Sequence, residues 1–221
     1  RFESRGLGDV YKRQPMPSIR DILNLGPVMP VIVIDDSANA VPLARALLEG
    51  GITTIEITLR TPAALDSIRA VADACPDITV GAGTVTRADL AAAARDAGAA
   101  FAVSPGTTPA VIKGCAAAGL PLLPGASSAS EMMALHDQGF DCVKFFPANA
   151  AGGTAFIKAL ASPLPDISVC PTGGITEATA PEWLALANVP CVGGSWVAPR
   201  DAIAEGGFEV IATRARAAAA L

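Results

Sequence analysis

The sequence predicts an α/β protein folded as a single (β/α)8 TIM barrel, and three observations carry that prediction. Eight short apolar, β-branched runs recur along the chain, about 20–25 residues apart. Ala- and Leu-rich stretches with helical spacing and polar starts lie between them. No G-x-G-x-x-G fingerprint opens the chain, which weighs against the rival architecture, a doubly wound open sheet. Strict strand–helix alternation implies a parallel sheet, and eight repeats in 221 residues imply a compact barrel with no internal domain boundary.

The runs are, in order, V-M-P-V-I-V-I (28–34), T-T-I-E-I-T-L (53–59), I-T-V-G-A-G (78–83) and F-A-V-S-P (101–105). They continue with L-P-L-L-P (120–124), C-V-K-F-F (142–146), I-S-V-C-P (167–171) and V-P-C-V-G (189–193). Each is continuous and bounded by turn residues, as strands buried on both faces are. The predicted helices are Ala38–Glu49, Pro62–Ala74, Arg87–Ala97, Pro109–Ala118, Ser130–Gln138, Ala155–Ala161 and Pro181–Ala187. Aromatic residues are 5% of the chain against 51% apolar, so the interior must be built from Ala, Val, Ile and Leu. The 21 glycines and 18 prolines are spread as punctuation, which fits many short elements and argues against disorder.

Residues 1–15 do not share this pattern. They carry Arg1, Arg5, Arg13, Lys12 and the only tyrosine, without the apolar segment of a signal peptide. They are expected to be a disordered leader, with the barrel domain spanning 16–221 and Met16 as its start.

Composition removes several function classes. Net charge is −5 with a pI of about 4.9, and no basic stripe exists, so nucleic acid is not an expected partner. Five cysteines form no C-x-x-C pair; Cys142, Cys170 and Cys191 lie in strand-like runs and read as small core residues. An odd cysteine count without metal spacing suits a reducing cytoplasm. The single histidine, His136, falls in a helical pattern, so no metal site is expected. No stretch approaches a membrane span.

Polar residues at strand ends are the candidates for chemistry, because a barrel places its site there. Lys144, in D-C-V-K-F-F-P-A, is the one lysine of four in a strand-like apolar stretch. A lysine there is costly to charge, which favours the neutral amine that forms a Schiff base with a carbonyl. The alternative is a stem packed on the barrel with its head in water. The second run ends with Glu56, Thr58 and Arg60, which alternation puts on one side, facing the barrel mouth. There Arg60 would set a like charge beside Lys144, or the three would form a structural ion network. G-A-G-T (81–84) reads as a place where a ligand approaches the backbone. Gly173 and Gly174 after the seventh run, with Gly194 and Ser195 after the eighth, offer backbone N–H groups for a phosphate; tight turns explain the glycines equally well.

E-I-T-L-R, G-A-G-T-V, S-P-G, K-F-F-P-A, C-P-T-G-G-I and G-G-S-W occur in that order between about Leu25 and Pro199. Together they resemble the 2-keto-3-deoxy-6-phosphogluconate aldolase family, also called the 2-keto-4-hydroxyglutarate aldolases. The resemblance implies a (β/α)8 homotrimer with no metal or organic cofactor. It implies Lys144 as Schiff-base lysine and Glu56 as general acid/base acting through a water. It further implies Arg60 and Thr84 on the pyruvyl carboxylate, Pro105 and Phe146 lining the pocket, and Thr172 beside substrate hydroxyls. Gly173, Gly174, Gly194 and Ser195 would hold the phosphate. The expected activity is cleavage of the phosphogluconate-type keto acid to pyruvate and glyceraldehyde 3-phosphate, with the phosphogalactonate and hydroxyglutarate analogues as alternatives for the aldehyde half. A phosphate-binding barrel of another reaction class is the rival; it needs the late glycines but not Lys144 with Glu56 and Arg60.

Overall fold

Helix and strand alternate from residue 17 to residue 221, the residues described by the computed structural model; the segment 1–15 lies outside the described residues. In chain order the first half comprises α1 (Ile19–Leu23), β1 (Val28–Ile32), α2 (Ala40–Glu49), β2 (Thr54–Thr58), α3 (Ala64–Ala74), β3 (Thr79–Gly83), α4 (Ala88–Asp96), β4 (Phe101–Val103) and α5 (Pro109–Ala117). The second half comprises β5 (Leu122–Leu123), β6 (Gly125–Ala126), α6 (Ala129–His136), β7 (Cys142–Phe145), α7 (Gly153–Leu160), β8 (Ser168–Pro171), α8 (Ala180–Leu184), β9 (Val192–Gly194), α9 (Arg200–Ala204) and α10 (Phe208–Ala219). Local chemistry sets the helix starts. The Thr108 hydroxyl accepts from the Val111 amide, with Pro109 in the first turn of α5 where its missing N–H costs nothing. Ser128 and Glu131 cap α6 reciprocally.

All strands pair in parallel, in one sheet of order β5-β4-β3-β2-β1-β9 and a second of order β6-β7-β8. A single bridge between Thr172 and Gly193 links the sheets on one side. On the other side the fifth apolar run divides between them. Leu122 and Leu123 pair with β4, whereas Gly125 and Ala126 pair with β7. Pro124 stands at the division because it has no N–H to give. Its carbonyl accepts from the Lys144 amide at 2.8 Å, and the Ser104 hydroxyl accepts from the Gly125 amide at 3.2 Å. The described pairing is therefore two curled parallel sheets, coarser than the single eight-stranded ring that the sequence predicts.

Alternation along the strands separates two cores. Ile55, Ile57, Val143, Phe145 and Val169 join the helix side, packing with Leu43, Leu47, Ile68 and Trp183. Met29, Phe101, Val103, Leu123, Cys142, Cys170 and Cys191 form a second cluster with Ile22 and Leu23 of α1. So α1 acts as a stopper near the start of the strands. Arg20 pins it, donating to Asp141 at 2.7 and 3.1 Å and to Ser168 at 3.0 Å. That guanidinium holds the Asp141 carboxyl below its ordinary range. All five cysteines are buried, and burial pushes the Cys142 thiol up to about 12 and Cys115 up to about 11. His136 is exposed. Among the described residues no helix is long and apolar enough to cross a membrane.

Candidate active site

Two residues further along the same strands, the interior turns polar. Lys144 of β7 and Glu56 of β2 come from different sheets and meet there. Lys144 Nζ donates to Glu56 Oε1 at 3.1 Å and to Oε2 at 3.3 Å. Their side chains are 5% and 2% exposed. Two charges withdrawn from water are held by each other, and removing either would strand its partner. Along the 3.1 Å bond a proton can pass from Nζ to the carboxylate, leaving a neutral amine and a carboxylic acid. The Phe146 ring lies 5.7 Å from Lys144 Nζ, measured to its centroid.

Arg60 lies two residues beyond the last residue of β2 and lines the cleft at the strand ends. β2 ends at Thr58, so alternation does not carry to residue 60, and the Arg60 side chain is exposed. Its Nε donates to the Thr84 hydroxyl at 3.1 Å. The charge in direct contact with Lys144 is that of Glu56, opposite in sign. Thr58 turns its buried hydroxyl to the Ile32 carbonyl at 2.8 Å. Thr84 has φ of +61°, a left-handed conformation that costs a β-branched residue about 1–3 kcal/mol and that persists where its surroundings impose it.

The G-A-G glycines serve a different purpose from the ligand approach that the sequence suggests. A Cβ on Gly83 would stand 2.2 Å from Glu56 Oε1, and one on Gly81 would stand 2.3 Å from the Phe101 ring. Glycine is there to make room for neighbouring side chains. Gly193 does the same for Thr172, whose Oγ1 would lie 2.2 Å from an added Cβ, and Gly194 for the Trp196 ring. Thr172 Oγ1 is buried and has no hydrogen-bond partner among the described residues. Such a group carries a penalty of about 1–3 kcal/mol that a ligand's polar atom would relieve. Pro105 packs its backbone on Gly125, the register partner of Lys144, and so stands one strand away from the lysine.

Above this floor opens a cleft of about 520 Å³. Arg60, Phe146 and Thr172 line it, as do Gly173, Gly174, Gly194 and Ser195. Gly173 and Gly174 have φ of +107° and +81°, a conformation that glycine alone adopts readily. Asn149 clamps their loop: Nδ2 donates to the Gly174 carbonyl at 2.6 Å, and its amide to the Gly173 carbonyl at 3.1 Å. Among the described residues no three His, Cys, Asp or Glu are grouped for a metal. Sequence reading missed Trp196, Val31, Val33 and Arg200, which also line the cleft. Arg200 is paired with Asp35, each just past the end of adjacent strands β9 and β1. The strand-end rule that finds Glu56 would have found both, had it been carried a few residues into the loops.

The family model "KDPG and KHG aldolase" matches residues 19–213. A 2-dehydro-3-deoxy-phosphogluconate aldolase of Pseudoalteromonas atlantica is 50% identical over 203 residues, covering 92% of this chain and 94% of that protein. The KHG/KDPG aldolase of Escherichia coli is 46% identical over 201 residues, covering 91% of this chain and 94% of that protein. Among solved structures, a KDPG aldolase from Legionella pneumophila with pyruvate captured as a covalent carbinolamine intermediate superposes with a TM-score of 0.88 at 41% identity, covering 95% of this chain and 100% of that one. With its fold and nearly its whole length matched, the chain belongs to the KDPG and KHG aldolase family.

Proposed function

We propose that this protein is a class I aldolase that cleaves 2-keto-3-deoxy-6-phosphogluconate to pyruvate and glyceraldehyde 3-phosphate. The observation that carries the reading is the buried Lys144–Glu56 contact at 3.1 Å beneath an open cleft. Proton transfer to Glu56 frees the Lys144 amine to attack the C2 ketone. Glu56 returns the proton as the carbinolamine loses water. The protonated imine then accepts the electron pair of the C3–C4 bond while Glu56 takes the C4 hydroxyl proton, releasing the aldehyde and leaving an enamine. Protonation of the enamine at C3 and hydrolysis of the imine release pyruvate and restore the lysine.

Arg60, with Thr84 as its bonded neighbour, takes the pyruvyl carboxylate, and Phe146 of the cleft lining and Pro105, packed on Gly125 beside the lysine, wall the reacting carbons. The unpaired Thr172 hydroxyl meets a substrate hydroxyl. Gly173, Gly174, Gly194 and Ser195 hold the phosphate. The Escherichia coli relative's double name supports 4-hydroxy-2-ketoglutarate as a second substrate. In this reading 16–221 form one aldolase domain, and the two sheets act as one closed (β/α)8 barrel with residues 122–126 as its fifth strand. The split pairing of that run and the Thr172–Gly193 bridge support the closure. A homotrimer in the cytoplasm completes the proposal, and sedimentation of the purified protein tests its assembly.

The test of the chemistry is borohydride trapping with pyruvate, followed by peptide mass mapping. A pyruvyl adduct on Lys144, absent from Lys144→Ala together with all cleavage, is the expected outcome. An adduct on Lys113 or Lys158, or none, overturns the assignment.

A further inference from the structure

Two cations line the cleft, Arg60 and Arg200. Arg60 belongs to the β2–β3 side, where it is bonded to Thr84. Arg200 opens α9, five residues after Ser195, and shares the cleft wall with the glycine loops. Those loops offer N–H groups but no formal charge. We propose that Arg200, held in place by Asp35, is the cation that meets the anionic far end of the substrate and sets preference for a phosphorylated aldehyde. The proposal rests on the aldolase reading and deepens it on the part of the cleft wall that follows β9.

The geometry of the pair supports this role. Asp35 takes Nε and Nη2 of Arg200, each at 2.5 Å, in the two-pronged arrangement that fixes a guanidinium plane. Nη1 keeps both its donors without a protein partner among the described residues. One edge of the fork is therefore anchored and the other is free. The anchor is on the next strand, because Pro30 of β1 is the register partner of Gly194 of β9. Holding the fork beside the glycine loops lowers the ordering entropy that a long, exposed side chain would otherwise lose on binding. A dianionic phosphate gains from a full positive charge as well as from N–H groups, while the carboxylate of 4-hydroxy-2-ketoglutarate is singly charged and bonded directly to C4, too near the reacting carbons to extend to the fork, and gains less.

Steady-state cleavage of 2-keto-3-deoxy-6-phosphogluconate and of 4-hydroxy-2-ketoglutarate, in wild type, Arg200→Ala, Arg200→Lys and Asp35→Asn, tests the proposal. Arg200→Ala should raise KM for the phosphorylated substrate about tenfold, the size expected for one lost hydrogen bond to a charged group. Its loss on the unphosphorylated substrate should be at least about fivefold smaller. Arg200→Lys should recover part of the loss, because charge survives without the fork. Asp35→Asn should cost less than Arg200→Ala, because the cation remains. Equal losses on both substrates, or an Asp35→Asn loss as large as that of Arg200→Ala, would reduce the pair to a brace between two loops and overturn the inference. Pyruvate trapping in wild type separates the layers: no adduct there refutes the aldolase reading, whereas an adduct with equal substrate losses refutes the Arg200 role alone.

Discussion

Two levels of the same interior lie one pleat apart and behave as different materials. On β7 Cys142 is followed two residues later by Lys144; on β8 Cys170 is followed by Thr172; approaching and entering β9, Cys191 is followed by Gly193. The first member of each pair packs with Phe101, Met29 and the α1 stopper, with no demand for a polar partner. The second member belongs to the ion pair, the unpaired hydroxyl, or the space that the hydroxyl fills. A parallel strand changes from stability to chemistry in about 7 Å, two steps of its rise. That sharp division lets an apolar floor hold a charged pair in place without being part of its reaction.

Four experiments break or sharpen the contrast, from the largest expected effect down. Glu56→Gln keeps size and a hydrogen-bond acceptor for Lys144 but removes the base, so turnover should fall about 10²–10⁴-fold with the fold retained. A near-normal single-turnover rate would demote Glu56 to a structural partner of the lysine. Phe101→Ala empties part of the lower level and should cost about 3–5 kcal/mol of unfolding free energy. Turnover per folded molecule should stay within about threefold, since the ring does not border the cleft; a large fall in kcat would mean that the two levels are coupled. Gly193→Ala drives a Cβ to 2.2 Å from Thr172 Oγ1, and displacement of that hydroxyl should lower kcat/KM about ten- to hundredfold. An unchanged rate would remove Thr172 from the substrate's surroundings.

The smallest effect is a pH dependence of stability. Burial raises the Cys142 thiol to about 12 in the folded protein, against about 8.5 in an unfolded chain. The folded state therefore keeps a proton that the unfolded state loses. The contribution is fully present below about pH 8.5 and fades as pH climbs towards 12. Melting temperature should decline across that alkaline range, and less steeply in Cys142→Ala; identical slopes would assign the alkaline loss to other groups.

Much of this was legible in the residues. Lys144 stood out because charge in a β-branched, aromatic run is rare, and Glu56 because alternation put it inside. Alternation itself stops with β2 at Thr58, and Arg60, two residues further on, still lines the cleft. Gly81, Gly83, Gly193 and Gly194 were recognisable as special, but their reason was hidden. A glycine that makes room for Phe101 or Glu56 looks in sequence like one that makes room for a ligand. The fifth run ended too early on the page because Pro124 reads as a terminator, whereas here it is the joint where pairing passes from β4 to β7. Arg200 and Asp35 lie beyond the strand ends at which the search for polar residues stopped, and their meaning comes from the strands that bring them together.

The stopper helix also constrains how the chain is made. Arg20 finds its partners 121 and 148 positions later, at Asp141 and Ser168, and β1 needs β9 on its free edge. A nascent chain that ends before those residues has no means of sealing the thiol-lined interior, and β1 waits with one edge unpaired until residue 192 has emerged. Such long-range closure slows folding and lengthens the exposure of apolar strands. During translation the protein's most vulnerable period therefore lies near its end, with most of the sheet already made and its first strand still open on one side.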